Sequence, residues 1–264
     1  MDEFDREKYL LNWTTERCGE DGVTFTFDEG WDMIKRFGLD VLSDMLKHFL
    51  RNDEGSDRKE RKPLGARGWS SLYTTSYQMV NINITSGELF YDEIVQFIRD
   101  YVQSPSVQDV IIKPSLAEFV LVWQAYKLMT KWIWYLFMHL ETSVIKLNDL
   151  PTLAAVALVE FKLNVYDKYH HHLTTLALRA IEREREGEHI DRSLLQETLQ
   201  IFMTMGLAAK IDPIFASEQR VALKNMDSAL KLQNYKVQYL EHFERAFLED
   251  SKQFYRRKST DWIT

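Results

Sequence analysis

Three consecutive histidines, His170, His171 and His172, are the first residues in this sequence that could do chemistry. The apolar residues on either side recur at helical intervals, which predicts that the triplet lies in a helix. Successive helical side chains point about 100° apart, so three adjacent histidines do not converge on one metal ion as residues spaced by four do. We therefore interpret them as ordinary helix positions, and we expect neither a metal nor another cofactor.

A run of carboxylates follows the histidines and is the second candidate, since paired carboxylates can act as general acid and base. These residues are Glu182, Glu184, Glu186, Glu188 and Asp191. Arg183 and Arg185 alternate with them, a pattern typical of a solvated charged turn. The sequence has no glycine-rich phosphate loop, no G-x-S-x-G motif and no Cys/His pair in a catalytic context. By elimination, we expect a binding or scaffold protein and not an enzyme.

The charge of the chain narrows the class of partner. Lys and Arg together number 33 and Asp and Glu 40, and the resulting net charge of −7 argues against nucleic-acid binding. The single cysteine, Cys18, excludes an internal disulfide, and the first residues lack the basic and apolar blocks of a signal peptide. We therefore expect a reducing compartment, the cytoplasm and nucleus.

Helices must position any functional residue, because 10 glycines and 5 prolines in 264 residues favour an all-α fold. The strongest helical pattern covers residues 114–146, where Ser115 and Glu118 form a capping box. Apolar residues on two adjacent stripes predict one unbroken helix wrapped by others. A membrane span is the alternative, and it is weakened by charged and polar residues inside the segment: Glu118, Lys127, Lys131, His139 and Glu141.

The remaining segments divide into helices and connections. We predict a flexible tail over residues 1–22, a helix capped by Thr26 with Glu29 that extends to residue 50, and a linker over residues 52–68. A helix follows over residues 69–80, and another is capped by Ser86. Past Pro151 we expect one bent helix or two, and then a helix that Asp191 caps and Gly206 ends. Residues 207–238 are predicted to be a loop with a weaker helix around 217–232, and a last helix starts near Val237.

Five blocks, in this order along the chain, resemble motifs of the cullin family. EGWDMI is similar to its first helix, SLYTTSYQM to its second helix and VWQAYKLMTKWIWYLFMHLE to its long fifth helix. EREREGEHIDRSLLQ resembles the family's KEREGE-x-IDR-x-LL segment, in the version found in plant cullins of the Skp-cullin-F-box type. YLEHFERAFLEDSKQFYRRKSTDWI resembles a later conserved block. The blocks span residues 28–263, so the resemblance covers nearly the whole chain.

This resemblance implies a fold and a division of the chain. Cullins carry a row of cullin repeats, each a five-helix bundle, stacked in an elongated array. We expect a first repeat over residues 23–148 and an incomplete second repeat over 149–264, with an insertion near 207–238. The resemblance covers only amino-terminal repeats, so we expect neither a site for the RING subunit nor an acceptor for the ubiquitin-like modifier.

The resemblance also implies a partner. The first cullin repeat docks a BTB/POZ-fold adaptor of the Skp type, and F-box proteins through it, with its second helix and the start of its fifth. The matching residues here are Trp69, Ser70, Tyr73, Ser76, Tyr77, Ile111, Ile112, Lys113 and Leu116. The residue pattern alone, without the resemblance, also suggests an exposed apolar patch for a partner, formed by residues 110–112 together with Trp69 and Tyr73.

Some positions depart from the family pattern. Ser76 replaces the usual Val or Ile, and Val80 replaces a plant cysteine; one lost aliphatic contact costs about 1 to 2 kcal/mol of binding free energy. His242 interrupts the usual acidic-Phe-Glu triplet. Two alternatives to an adaptor-binding fragment therefore stay open, namely a degenerate cullin paralogue that binds nothing and a membrane-associated helical protein.

Overall fold

The computed structural model of the chain describes residues 3–19, 22–51, 64–82, 85–112, 114–216 and 239–263. Nearly all of them are helical, apart from short connections and one antiparallel pair of two-residue strands, β1 (Cys18–Gly19) and β2 (Gly22–Val23). This confirms the all-α prediction.

Helices α1 to α6 are Glu3–Arg17, Phe27–Ile34, Asp40–Leu50, Ala66–Val80, Ser86–Gln103 and Pro105–Gln108. Helices α7 to α12 are Leu116–Leu136, Met138–Leu140, Leu153–Phe161, Asp167–Arg185, Arg192–Ala216 and Arg245–Ile263. Within the described part of the chain, no helix is both long enough and apolar enough to cross a membrane.

Among the residues that the structure describes, four turns are π-helical and join or extend these helices: Lys35–Leu39, Glu141–Ile145, Lys162–Tyr166 and Leu240–Glu244. The first and third connect α2 to α3 and α9 to α10 without a break in the helical backbone. The sequence past Pro151 therefore forms a continuous helical rod, one of the two predicted forms. Each π-turn holds one more residue than an α-turn, a feature that the apolar periodicity does not reveal.

The two predicted capping boxes form. Thr26 N–H donates to Glu29 Oε2 at 2.8 Å, and Glu29 N–H donates to Thr26 Oγ1 at 3.3 Å. The corresponding distances for Ser115 and Glu118 are 2.7 and 3.2 Å. The backbone hydrogen bond at each cap lowers the pKa of the glutamate, because it favours the ionised form.

Two further caps were predicted with different outcomes. The Asp191 carboxylate accepts a hydrogen bond from Leu194 N–H at 3.0 Å and caps α11, as expected. The prediction for Ser86 is wrong, because Ser86 is itself the first residue of α5, it is buried, and Thr85 takes the capping position.

The amino-terminal prediction is also wrong, since Glu3–Arg17 form a helix and not a flexible tail. Leu10 is only 1% exposed, and the Glu7 carboxylate lies 3.5 Å from Gly68 N–H at the start of α4. The helix is weakly amphipathic, so its order comes from packing against α4 more than from its own periodicity.

The predicted unbroken helix over 114–146 ends at Leu136, because Phe137 leaves the helical conformation with φ −112° and ψ 22°. Gly206 does not end its helix, which continues to Ala216. The predicted linker is shorter than 52–68, since Leu64 is buried and α4 starts at Ala66. Residues 52–63 and 217–238, where the rest of the linker and most of the insertion fall, lie outside the described residues.

The chain divides into two compact units. The first comprises Met1–Gln108 and Gln124–Ala157, and the second Asp109–Trp123 and Leu158–Thr264. Helix α7 thus contributes residues to both. These boundaries do not coincide with the repeats expected over 23–148 and 149–264, and that division into repeats stays a prediction.

An aromatic cluster lies at the centre of the first unit. Phe90 is fully buried, and the rings of Trp31 and Phe137 approach its ring edge-on at centroid distances of 5.9 and 5.3 Å. Tyr126 OH donates a 2.7 Å hydrogen bond to the carbonyl of Ala157. Burial of such rings supplies much of the hydrophobic stabilisation of a small helical unit.

Candidate protein-binding surface

Helix α4 presents two different faces. Its interior face is buried and comprises Gly68, Ser71, Leu72, Thr75, Ser76 and Met79. On the opposite side Ser70 and Tyr77 are exposed, and Trp69 and Tyr73 are half-buried. Because Trp69, Tyr73 and Tyr77 follow one another in steps of four, the three rings form a line along the helix.

Ser76 was predicted to contact an adaptor, and the structure contradicts this. The residue lies four positions after Leu72 and three before Met79, which places it on the buried face of α4, and it is only 1% exposed. Its Oγ is buried, without a hydrogen-bond partner among the described residues. The departure at Ser76 therefore affects the interior of the first unit and leaves the exposed face of α4 unchanged.

The predicted adaptor residues that do not lie on α4 belong to the second unit. Ile111 is fully buried, so it does not contribute to a surface and its prediction as a contact is wrong. Ile112 is 63% exposed and Leu116 is half-buried. Lys113 lies outside the described residues. The expected exposed cluster at 110–112 is thus reduced mainly to the Ile112 side chain.

The end of α7 and the start of α8 carry two exposed aromatic rings and an exposed methionine that the apolar periodicity does not predict. Trp134, Tyr135 and Met138 are 39, 42 and 39% exposed, whereas we expected a helix wrapped on all sides. With rings from α4 they form what we call the aromatic surface, which consists of Trp69, Tyr77, Trp132, Trp134, Tyr135 and Met138.

Ring contacts connect four members of the aromatic surface. The ring centroids of Trp69 and Trp132 are 5.0 Å apart, those of Trp132 and Tyr135 are 5.9 Å apart, and those of Trp134 and Tyr135 are 5.2 Å apart. One end of the surface is closed by Tyr77, whose ring lies 4.3 Å from that of His139. These contacts restrict the rotamers of the rings, so the surface is ordered before any partner binds.

The aromatic surface lies on two helical segments that lack acidic residues. Neither Ala66–Val80 nor residues 119–140 contain Asp or Glu, although the chain has 40 acidic residues. The charged residues of the two segments are Arg67, Lys127 and Lys131, and burial lowers the pKa of His139, which favours its neutral form. Lys131 Nζ lies 5.9 Å from the Tyr135 ring centroid, a cation–π distance. Surfaces with clustered aromatic rings and cations are suited to binding proteins.

In the second unit the histidine triplet is part of a packing contact. The His170 ring stacks on the His242 ring at 4.0 Å, and Tyr166 OH lies 2.9 Å from His242 Nδ1. Thr174 Oγ1 donates to the His242 carbonyl at 2.7 Å. In the described ranges, no group of three or more His, Cys, Asp or Glu residues is placed to hold a metal ion. This contact joins the turn Leu240–Glu244 to α10, and the sequence analysis did not foresee it.

The histidine stack predicts a dependence of stability on pH. Burial lowers the pKa of both His170 and His242, and a neighbouring histidine charge adds to this, that of His171 for His170 and that of His170 for His242. Asp167 opposes the lowering at both residues, and Glu241 opposes it at His242, only in part. A lowered folded-state pKa gives stability that is complete above the unfolded value of about 6.5 and is lost as the pH falls toward the folded value. We therefore expect the melting temperature to fall between about pH 7 and 5.

Thermal unfolding of wild type and His170→Gln across this pH range checks the prediction. The variant is expected to show a shallower fall, because one member of the repelling pair is gone. His189→Gln, which replaces an exposed histidine, is the matched control and should follow wild type. If the melting temperature fell equally steeply with pH in wild type and in His170→Gln, the pH dependence would not come from the stack of His170 on His242.

These observations define a class of protein, a helical scaffold that presents an ordered binding surface. Comparison with known families identifies it further. The family model described as the cullin alpha solenoid domain matches residues 45–264. The chain belongs to the cullin family, which confirms the resemblance inferred from the five sequence blocks.

Individual relatives agree with this assignment. Cullin-1 of Oryza sativa subsp. japonica is 28% identical over 191 residues, which cover 70% of this chain and 24% of that protein. Putative cullin-like protein 2 of Arabidopsis thaliana is 26% identical over 244 residues, covering 89% of this chain and 54% of the relative. Cullin-2 of Arabidopsis thaliana is 26% identical over 196 residues, which cover 72% of this chain and 23% of that protein. The chain thus spans between about a quarter and about half of the length of these relatives.

Proposed function

We propose that this chain is a cullin-like scaffold segment of the ubiquitin-ligase system that binds a Skp-type BTB/POZ-fold adaptor, and F-box proteins through it. The exposed side of α4 is the proposed contact. The observation that supports it is the line of Trp69, Tyr73 and Tyr77 on the solvent side of this helix, with Ser70 beside it. Family membership supports a scaffold role in ubiquitin-dependent protein catabolism.

In this role the chain positions other proteins and does not itself catalyse ubiquitin transfer. Aromatic side chains suit such a contact, because they bury a large area and lose little conformational entropy when they bind. Ser76 and Ile111 are excluded as direct contacts by their burial, and the proposed face consists of Trp69, Ser70, Tyr73 and Tyr77. The expected compartment remains the cytoplasm and nucleus.

Calorimetric titration of a Skp-type adaptor into the full chain tests the proposal. We expect micromolar or tighter binding, with about a tenfold or greater loss of affinity for Tyr73→Ala and for Tyr77→Ala, since each variant removes a large ring from the contact. Tyr77 is 42% exposed, so its truncation is expected to leave the fold intact.

Tyr255→Ala is the matched control. This residue is also an exposed tyrosine on a helix, but it lies on α12 in the second unit. The control should bind the adaptor as wild type does. If a folded wild-type chain binds no adaptor, the chain is a non-binding cullin paralogue and the proposal fails. If Tyr73→Ala and Tyr77→Ala both bind like wild type, the adaptor uses another face.

A further inference from the structure

We propose that the α7 side of the aromatic surface, formed by Trp132, Trp134, Tyr135 and Met138 with Lys131, binds an acidic segment of a partner protein. In this segment Asp or Glu residues flank aromatic or long aliphatic side chains. The proposal is independent of the adaptor proposal, because it stands on a different helix and on different observations.

The geometry of this side favours a ligand with apolar side chains. Trp134 and Tyr135 are in contact near the end of α7, and Met138 starts α8 just after the break at Phe137, so three partly exposed apolar side chains lie within five residues. The Trp134 ring meets the Tyr135 ring nearly edge-on, at an interplanar angle of 65°. Because rings fixed by their neighbours lose little entropy on binding, such a patch is a suitable anchor for an aromatic or aliphatic side chain.

Charge determines which apolar segment fits. Lys131 and Tyr135 are four residues apart, so the Lys131 ammonium lies on the same stripe of α7 as the exposed Tyr135 ring. Residues 119–140 contain no Asp or Glu. A carboxylate of a partner that lies along this stripe therefore meets the Lys131 ammonium and aromatic rings and no acidic side chain from residues 119–140, which favours acidic partners and disfavours basic ones.

The same charges argue against two other occupants. In a symmetric dimer the same patch would lie on both copies, so two patches of the same positive charge would face each other. Aromatic rings with lysines also occur in single-strand nucleic-acid sites, but the net charge of −7 opposes the approach of a polyanion as long as a nucleic acid. A short acidic protein segment meets the local positive charge without this long-range repulsion.

Selection of phage-displayed random peptides on the immobilised full chain tests the proposal. We expect the selected peptides to be enriched in Asp and Glu together with Phe, Trp or Leu. Fluorescence anisotropy with a selected peptide should then show a tenfold or greater loss of affinity for Trp134→Ala and for Tyr135→Ala. Lys131→Glu should weaken binding at low salt and reduce its dependence on salt, because it removes one attractive charge.

Two matched variants separate this proposal from the adaptor proposal. Tyr77→Ala is expected to retain peptide binding and to weaken adaptor binding, and Trp134→Ala is expected to show the reverse. Tyr255→Ala should leave both unchanged. If Trp134→Ala lost as much adaptor affinity as Tyr77→Ala, the α7 side would bind the adaptor and not a different partner, and the proposal would be wrong.

The remaining outcomes also decide the question. Selected peptides without an excess of acidic residues, or none that depend on Trp134 and Tyr135, would overturn the proposal. Binding of an oligo(dT) probe that is lost in Trp134→Ala would assign the patch to nucleic acid instead. A dimer in sedimentation velocity that becomes a monomer in Trp134→Ala would assign it to a second copy of the chain.

Discussion

The replacement of Phe137 by alanine is expected to lower the free energy of unfolding by about 3 to 5 kcal/mol. The Phe137 side chain is fully buried, and its ring lies 5.3 Å from that of Phe90, edge-on. The substitution removes most of the ring and leaves a cavity that the surrounding helices fill only in part. Residue 137 is also not in a helical conformation, so the high helix propensity of alanine gives little compensation there.

Urea unfolding followed by far-UV circular dichroism measures this loss. Leu89→Ala is the matched control, because Leu89 precedes Phe90 on α5 but is 51% exposed. Leu89→Ala should lower the free energy of unfolding by the small hydrophobic contribution of an exposed leucine. Any further change should be less than about 0.5 kcal/mol. If Phe137→Ala were as stable as Leu89→Ala, the ring would not be part of the core, and the break in the long helix would have another cause.

The second large effect is expected for Arg185→Ala, at about 2 to 4 kcal/mol of stability. Arg185 is only 14% exposed in its side chain, and its Nη1 lies 3.0 Å from the Asp250 carboxylate. Its guanidinium also lies 5.1 to 5.9 Å from the rings of three aromatic residues of α12: Phe247, Phe254 and Tyr255. Truncation leaves a half-buried carboxylate without this cation and removes contacts from three rings.

Arg183→Ala provides the control for Arg185→Ala. Arg183 lies on the same helix and pairs with Glu188, but its side chain is 60% exposed. Exposed ion pairs contribute about 0 to 1 kcal/mol, so this variant should stay close to wild type in the same urea experiment. Equal stabilities for the two variants would mean that the contact between Arg185 and α12 does not stabilise the second unit.

Local signals in the sequence were the most reliable. Of the four predicted caps, those at Thr26, Ser115 and Asp191 depend on residues at most three positions apart and form, whereas the cap at Ser86 does not. Most of the helices follow from apolar periodicity, but α1 does not. Interactions between distant residues were less predictable, as Arg185 shows. We interpreted it as part of a solvated turn, because its partner Asp250 lies 65 residues further along the chain.

The candidate surface was predicted only in part. On α4 the step of four correctly places Tyr77 on the solvent side, but the same pattern included the buried Ser76. On α7 the apolar residues surround the helix, and periodicity alone does not show which side lacks a neighbouring helix. One signal was present and was not used, namely the absence of Asp and Glu over residues 119–140 in an acidic chain.

The π-helical turn Lys162–Tyr166 has a consequence for variation in chain length. It holds one residue more than an α-turn, so α10 is rotated by about 100° relative to an uninterrupted α-helix that starts at Leu153. Deletion of one residue from this turn would let the backbone continue as a regular helix. Because the deleted residue is the extra one, His170 and Arg185 would stay on the faces of the helix with which they contact their partners here. A single-codon deletion in this turn would thus be tolerated both by the rod and by its contacts with the carboxyl-terminal helix.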